Sequence, residues 1–150
     1  MYRFKYGNRR TYAEVFADEV QKHYGDWIKR IGVEAVVPVP MYHRKEKQRG
    51  YNQASVFAKK IAEFFGLAYE PGAVRRIVDT KPQKELNDEE RKNNLKNAFQ
   101  AEKFIVKYKY VLLVDDIYTT GSTAEAVAGQ LVAAGVEKVF FLSACIGNGY

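Results

Sequence analysis

The sequence predicts an α/β fold built on a parallel sheet. Residues 111–114, Val-Leu-Leu-Val, form a short apolar run of the kind that is buried on both faces of such a sheet. The apolar residues that follow recur at helical spacing as far as residue 134. A second apolar run spans residues 139–146, and the last strand is predicted over residues 137–144. Residues 111–144 are therefore expected to form one βαβ unit, with a right-handed crossover.

Composition narrows the class of protein. The chain has 150 residues, of which 47% are hydrophobic and 28% charged, so a single soluble domain over residues 1–150 is expected. No apolar run is long enough to span a membrane, and residues 1–20 lack the apolar core of a signal peptide. The single Cys145 excludes an intramolecular disulfide and a cysteine-based zinc site. These features predict a cytoplasmic protein without membrane insertion, in which Cys145 is a buried core residue.

In the first half of the chain, a short strand is predicted at residues 2–6, followed by a turn at residues 7–8 and an amphipathic helix over residues 12–24. The next strand starts at Ala35 and should end near Val37, because Pro38 and Pro40 cannot donate hydrogen bonds within a sheet. A helix capped by Asn52 is predicted as far as Phe65. A short strand is then expected over residues 67–70.

In the second half, residues 75–95 are polar, with a short helix predicted at 89–95. Such a long polar excursion in a compact domain is either disordered or functional. A strand is predicted at residues 104–106, ahead of the apolar run at 111–114. The helix that follows this run should end with Gly135 as its C-cap.

Two carboxylates and a hydroxyl-rich loop join the strand at 111–114 to its helix. Asp115 and Asp116 should lie at the carboxyl end of the strand, where open α/β sheets bind ligands. The loop hydroxyls surround Gly121, which allows a sharp turn and a close approach to an anion; they belong to Thr119, Thr120, Ser122 and Thr123.

The chemistry of this junction matches a ribose 5-phosphate. The amino end of a helix suits a phosphate, and ionised carboxylates need hydroxyl donors or a cation. A simpler interpretation treats Gly121 as a turn and Ser122 with Glu125 as a helix-capping box. It does not explain why two carboxylates face four hydroxyls. No lysine follows Gly121, so the loop is not a Walker A phosphate loop.

Residues 111–123 resemble the signature of the type I phosphoribosyltransferases, which binds the ribose and 5-phosphate of phosphoribosyl pyrophosphate (PRPP). The resemblance implies the fold of that family: α/β, with a mainly parallel twisted sheet, helices on both faces and a mobile lid loop. It implies that Asp115 and Asp116 hold the ribose hydroxyls, directly or through Mg²⁺. Residues 119–123 would cradle the 5-phosphate, and Mg²⁺ would be bound mainly by PRPP itself.

Several separated motifs between residues 33 and 146 add to this signature. They are Pro38-Val39-Pro40, Arg44, residues 49–53 (Arg-Gly-Tyr-Asn-Gln), Arg75-Arg76, Thr80, Gln83, Leu86, Arg91, Asn94 and Ala98-Phe99. In order and spacing they resemble the ComF family, the competence-protein relatives of amidophosphoribosyltransferase. ComF proteins often carry an N-terminal cysteine-rich zinc ribbon, and this sequence shows none.

Two polar segments complete the expected site. The basic loop over residues 41–50 lies between a strand and a helix, so it should open on the same sheet edge as the carboxylates. Arg44 and Arg49 could there stabilise the charge of a departing pyrophosphate, whereas His43 is expected to be solvated. The resemblance assigns the lid to residues 80–91, including Thr80, Gln83 and Arg91, and closure would exclude water from the reaction. No nucleophilic side chain is assigned.

Three functions are compatible with the sequence. The first is an active phosphoribosyltransferase, whose nitrogen acceptor the sequence does not identify. The second is a module that binds PRPP or a nucleotide without turnover. The third, implied by the ComF resemblance, is an accessory protein of DNA uptake that contacts single-stranded DNA or competence proteins. The net charge of +6 suits a polyphosphate as well as nucleic acid, and an oligomer is compatible with all three.

Overall fold

The computed structural model describes residues 9–41, 46–48, 50–78, 94–95 and 97–147. The strand predicted at 2–6 and nearly all of the helix predicted at 89–95 lie outside these residues. In chain order the elements are α1 (Arg9–Ile31), β1 (Ala35–Pro38), α2 (Gln53–Phe65), β2 (Ala68–Tyr69), β3 (Val74–Arg76), β4 (Phe99–Ala101), a 3-10 helix (Lys103–Lys107), β5 (Tyr110–Tyr118), α3 (Ser122–Ala133) and β6 (Lys138–Ile146).

The main sheet is parallel, with the strand order β2-β1-β5-β6. Strands β3 and β4 form a separate antiparallel pair. The βαβ unit β1-α2-β2 extends the sheet in one direction, and β5-α3-β6 extends it in the other. Because α2 and α3 pack on opposite faces, the two units have the same hand.

Strand β5 supplies both halves of the core. Val111 and Leu113 pack into the cluster that contains α3, whereas Leu112 and Val114 pack into the cluster that contains α1 and α2. All four side chains are completely buried. The predicted doubly buried strand and the helices on both faces of the sheet are therefore confirmed.

The start of α2 is fixed by its predicted cap. The Asn52 side chain accepts a hydrogen bond from the backbone N–H of Ala54 at 3.1 Å. It also donates from Nδ2 to the Val39 carbonyl oxygen at 2.9 Å. This one side chain therefore satisfies a free helix donor and ties the helix to the segment that follows β1. Gly66, with φ of 64°, ends the helix in the left-handed conformation.

Strand β1 ends at Pro38, one residue later than predicted, even though it is an inner strand of the sheet. The Val39 N–H donates to Val114 of β5 at 2.8 Å, and the Val36 carbonyl accepts from Glu70 beside β2 at 3.0 Å. The backbone N–H and C=O groups of alternate β1 residues therefore point toward opposite neighbouring strands, and the backbone nitrogen of Pro38 points toward β2. Since β2 has already ended at that level, the missing N–H of Pro38 leaves no partner unsatisfied.

The prediction of a strand at residues 104–106 is wrong. These residues lie in the 3-10 helix, where the Ile105 N–H donates to Glu102 and the Tyr108 N–H donates to Ile105. Ile105 is buried, while Phe104 and Val106 are exposed. That burial pattern also suits a strand, so hydrophobicity alone could not distinguish the two. Local hydrogen bonds between residues three apart decide the conformation.

Three smaller corrections concern element ends and burial. Helix α1 extends to Ile31, seven residues beyond the predicted end at residue 24. The C-cap of α3 is Ala134, and Gly135, with φ of 111°, comes one residue later. Cys145 is only partly buried because it lies on β6, the last strand of the sheet in the described region. Within that region, no helix combines the length and apolar character needed to span a membrane.

Two valines of α3 test the packing. Val127 is fully buried against the sheet, whereas Val132 is 52% exposed on the same helix. Val127→Ala removes buried methyl groups and leaves a cavity, so it should lower the free energy of unfolding by about 2 kcal/mol. Val132→Ala makes the same chemical change and should stay within about 0.5 kcal/mol of the wild type. Urea denaturation measures both, and equal effects would contradict this packing.

Candidate functional site

The site lies where the chain reverses its direction along the sheet. After β1 the chain moves toward β2, and after β5 it moves toward β6. The crevice between β1 and β5 is thus a topological switch point, the usual ligand position in open α/β sheets. Strand β1 stops at Pro38, paired with Val114, while β5 continues to Tyr118. Asp115 is the first residue of β5 beyond the end of β1.

The carboxylate pair lies within β5, and not in a loop after it. The Asp116 N–H donates to Asp115 Oδ1 at 2.8 Å. Successive strand residues face opposite sides of a sheet, so Asp115 faces the α3 side and Asp116 the other. Burial, and secondly the negative charge of Asp116, raises the pKa of Asp115 from 3.8 to about 7. A bound cation or hydroxyl donor would favour the ionised form of Asp115.

The loop after β5 presents a helix end without a side-chain cap. Helix α3 begins at Ser122, and Gly121 is its N-cap, with φ of 79° and no side-chain capping bond. Thr120 Oγ1 lies 3.0 Å from Ser122 Oγ and accepts a hydrogen bond from the Ser122 N–H at 3.4 Å. The capping box of Ser122 with Glu125 is therefore not formed, because Ser122 lies one residue inside the helix. Helix-end N–H groups without a side-chain cap suit an anion.

The structure brings only part of the predicted set together. A small cavity of about 30 Å³ is lined by Asp115, Thr119, Gly121 and Thr123 from the predicted set. The other three, Asp116, Thr120 and Ser122, do not line it; Thr120 is exposed on the outside of the loop. Arg44, Arg49, Thr80, Gln83 and Arg91 lie outside the described residues.

Tyr118 is a site residue that the sequence analysis missed. Its hydroxyl oxygen lies 2.7 Å from the point that a Cβ atom on Gly121 would occupy. Its ring lines the small cavity and also a larger apolar cavity of about 560 Å³ beside β6. The available signal was an aromatic residue between the carboxylates and the hydroxyl loop. Its position over Gly121 depends on the turn after β5, which local sequence does not specify.

The described residues offer a metal ion few ligands. No group of three or more His, Cys, Asp or Glu side chains converges within that part of the chain. The adjacent carboxylates of Asp115 and Asp116 are what the switch point provides. Such a sparse set fits Mg²⁺, which is commonly held by one or two carboxylates together with substrate phosphates.

Solved structures show the class of fold. The glutamine PRPP amidotransferase of B. subtilis, solved with ADP and GMP, superposes with a TM-score of 0.58 at 16% identity, over 88% of this chain and 26% of that chain. An allosteric regulatory enzyme of purine biosynthesis superposes with a TM-score of 0.55 at 17% identity, over 88% of this chain and 25% of that chain. At these identities the likeness concerns the fold alone. The fold is that of the type I phosphoribosyltransferases.

Curated relatives identify the protein family within this fold class. Competence protein F of Haemophilus influenzae is 38% identical over 108 residues, 71% of this chain and 47% of its own length. DNA utilization protein YhgH of Salmonella typhi is 35% identical over 106 residues, 71% of this chain and 46% of its own. The amidophosphoribosyltransferase of H. influenzae is 27% identical over 139 residues, 93% of this chain and 25% of its own. This chain is a ComF-like protein of the phosphoribosyltransferase type.

The chain spans about half the length of the competence and DNA-utilization relatives that it matches. No protein-family model matches it. The ligands and activities of the full-length relatives therefore do not transfer directly to this chain.

The raised pKa of Asp115 predicts a pH-dependent stability. A carboxyl whose pKa is higher in the folded than in the unfolded state binds more protons when folded, so stability should fall as pH rises from about 4 to 7. The fall should be on the order of 1–4 kcal/mol. Asp115→Asn should abolish it, and Asp116→Asn should move it to lower pH by removing the neighbouring charge. Urea unfolding between pH 4 and 8 measures this, and parallel pH profiles of all three proteins would contradict it.

Proposed function

We propose that this protein binds PRPP with Mg²⁺ at the β5–α3 junction and transfers its phosphoribosyl group to a nitrogen acceptor, with release of pyrophosphate. The observation that carries the proposal is the small cavity in which a half-buried carboxylate, threonine hydroxyls and a tight glycine turn meet at the switch point of the sheet. A sugar phosphate has complementary groups at each of these positions.

The ribose half of the ligand would be held by the carboxylates. Asp115, which lines the cavity, would accept hydrogen bonds from sugar hydroxyls. Asp116, which faces the other side of the sheet, would contact the ribose or the Mg²⁺ that PRPP brings from beyond the end of β1. Because the pKa of Asp115 is raised to about 7, much of this group is protonated at neutral pH. A cation or diol that prefers the ionised carboxylate should displace this proton, so PRPP affinity should increase as pH rises through 7.

The phosphate half would be held by the loop and the amino end of α3. N–H groups of the first turn of α3 would donate to the 5-phosphate, that of Ser122 in exchange for its bond to Thr120 Oγ1. The hydroxyls of Thr119 and Thr123 line the same cavity as Asp115. The positive φ of Gly121 forms the turn, and the missing side chain lets the Tyr118 ring lie close to the loop backbone.

In the reaction, the bond between ribose C1 and the pyrophosphate oxygen breaks, and that oxygen keeps the electron pair. The nitrogen of the acceptor then forms a bond to C1 and loses its proton. The protein contributes position and charge stabilisation. Arg44 and Arg49 are proposed to stabilise the pyrophosphate, and Thr80, Gln83 and Arg91 to close over the site. A cytoplasmic location, where thiols such as Cys145 stay reduced, is part of this proposal.

A second candidate function rests on the names of the relatives. Competence protein F and DNA utilization protein YhgH suggest an accessory role in DNA uptake, with single-stranded DNA or competence proteins as partners. Basic residues of the second half of the chain form ion pairs: Arg75 with Glu102, Lys107 with Glu70 and Lys109 with Glu137. DNA would have to compete with these acidic partners. This favours PRPP binding as the first function to test.

Calorimetric titration with PRPP and Mg²⁺ tests the principal proposal. The wild type should bind, and the double variant Asp115→Asn with Asp116→Asn should lose at least about tenfold in affinity, because the hydrogen bonds of charged carboxylates contribute about 1.5–3 kcal/mol each. Asp18→Asn, on the exposed surface of α1, makes the same chemical change away from the site and should bind as the wild type does. Equal affinities of all three proteins would overturn the proposed site.

Two further measurements separate the candidate functions. Pyrophosphate release with a panel of amines and nucleobases should identify a turnover substrate, whereas PRPP binding without release from any acceptor would indicate a sensor. A role on single-stranded DNA predicts binding that falls steeply with salt. Undetectable DNA binding at low salt would remove that role.

A further inference from the structure

Two cavities of very different character meet at one tyrosine. The small polar cavity at the hydroxyl loop and the large apolar cavity beside β6 share the side chains of Tyr118 and Phe141. The two rings lie 5.7 Å apart between centroids, tilted by 54°. The large cavity also contains Tyr24 and Trp27 of α1. Tyr118 therefore stands between the proposed phosphate site and an apolar space.

In the structure, the ring of Tyr118 fills the space in front of the phosphate loop. Its hydroxyl oxygen, Cε2 and Cζ lie 2.7, 3.0 and 3.1 Å from the position of a Cβ atom on Gly121. What remains is a cavity of about 30 Å³, enough for roughly two water molecules. A ribose 5-phosphate is larger than this cavity, so the ring in this position restricts its access to the loop.

The large cavity offers the displaced ring a place to go. Its volume of about 560 Å³ exceeds that of a phenol ring, and its apolar walls would favour an aromatic ring over water. The backbone of Tyr118 is held in place, because its carbonyl oxygen accepts from the Gly147 N–H at 2.7 Å and the residue is in register with Ile146. With the backbone anchored, opening of the loop would come from rotation of the side chain.

We propose that Tyr118 is a gate on the sugar-phosphate site. With the gate closed, the ring covers Gly121; with it open, the ring lies in the apolar cavity beside Trp27 and the loop is free to take the 5-phosphate. This inference rests on the proposed PRPP binding. It adds a side chain that controls entry, and it links the ligand site to a cavity on the α1 side of the sheet.

The gate predicts that three variants bind PRPP differently. Tyr118→Ala removes the ring and leaves the loop always open, so PRPP affinity should rise by about tenfold, since the wild type loses affinity in proportion to its closed fraction. Tyr118→Phe keeps the ring without the hydroxyl and should bind within about threefold of the wild type. If instead the hydroxyl donated to the phosphate, both variants would bind more weakly. Asp18→Asn, on the exposed surface of α1 and in the lining of neither cavity, should bind as the wild type does.

The single tryptophan of the chain, Trp27, reports the ring movement directly. Saturating PRPP with Mg²⁺ should change Trp27 emission in the wild type, Tyr118→Phe and Asp18→Asn, and leave it unchanged in Tyr118→Ala. Calorimetry in the same samples establishes occupancy. PRPP binding without any change in Trp27 emission, or weaker binding by Tyr118→Ala, would overturn the gate alone. Absence of PRPP binding by both the wild type and Tyr118→Ala would overturn the proposed function and the gate together.

Discussion

The pairing of β1 with β5 is the constraint on which this structure depends. Four register positions, ending at Pro38 and Val114, place a buried strand at the centre of the sheet. From this pair the chain extends outward in both directions, with one crossover helix on each face. Because β1 stops where the polar half of β5 begins, the carboxylates emerge beside an open crevice. The same backbone pairing thus organises the core and positions the site.

Within a few residues, the site combines carboxyl groups that prefer a cation or a hydroxyl donor with a helix end that prefers an anion. A carboxyl group at the end of a fully buried run loses solvation, and a second carboxyl beside it adds repulsion; together they raise its pKa toward neutrality. A few residues later, a helix presents N–H groups without a side-chain cap. The ionised carboxyl and the helix-end N–H groups each need a partner of opposite character. One ligand that carries both hydroxyls and a phosphate would supply both partners. In the proposed function, affinity for such a ligand would therefore depend on pH and on the position of the Tyr118 ring.

Features that depend on interactions between neighbours in the chain were predicted better than features that depend on the surrounding packing. Strand β5, helix α3 and the Asn52 cap follow from hydrophobic period and capping chemistry, which involve neighbours in the chain. The 3-10 helix around Ile105 was mistaken for a strand because its alternating burial is the same in both conformations. The capping box of Ser122 with Glu125 does not form, because the N-cap is Gly121, one residue before Ser122. Such choices between local conformations depend on the surrounding packing.

By itself, the sequence determined the fold class, the strand that carries the carboxylates and the hydroxyl loop that follows it, because an apolar run beside a polar turn has few stable arrangements. It also predicted ligand-binding chemistry at a strand-to-helix junction. Only the tertiary structure decided that Asp115 passes the end of β1, that its burial raises its pKa, and that Tyr118 lies over Gly121. These features arise between segments distant in the chain, where register and side-chain packing, and not local pattern, set the distances.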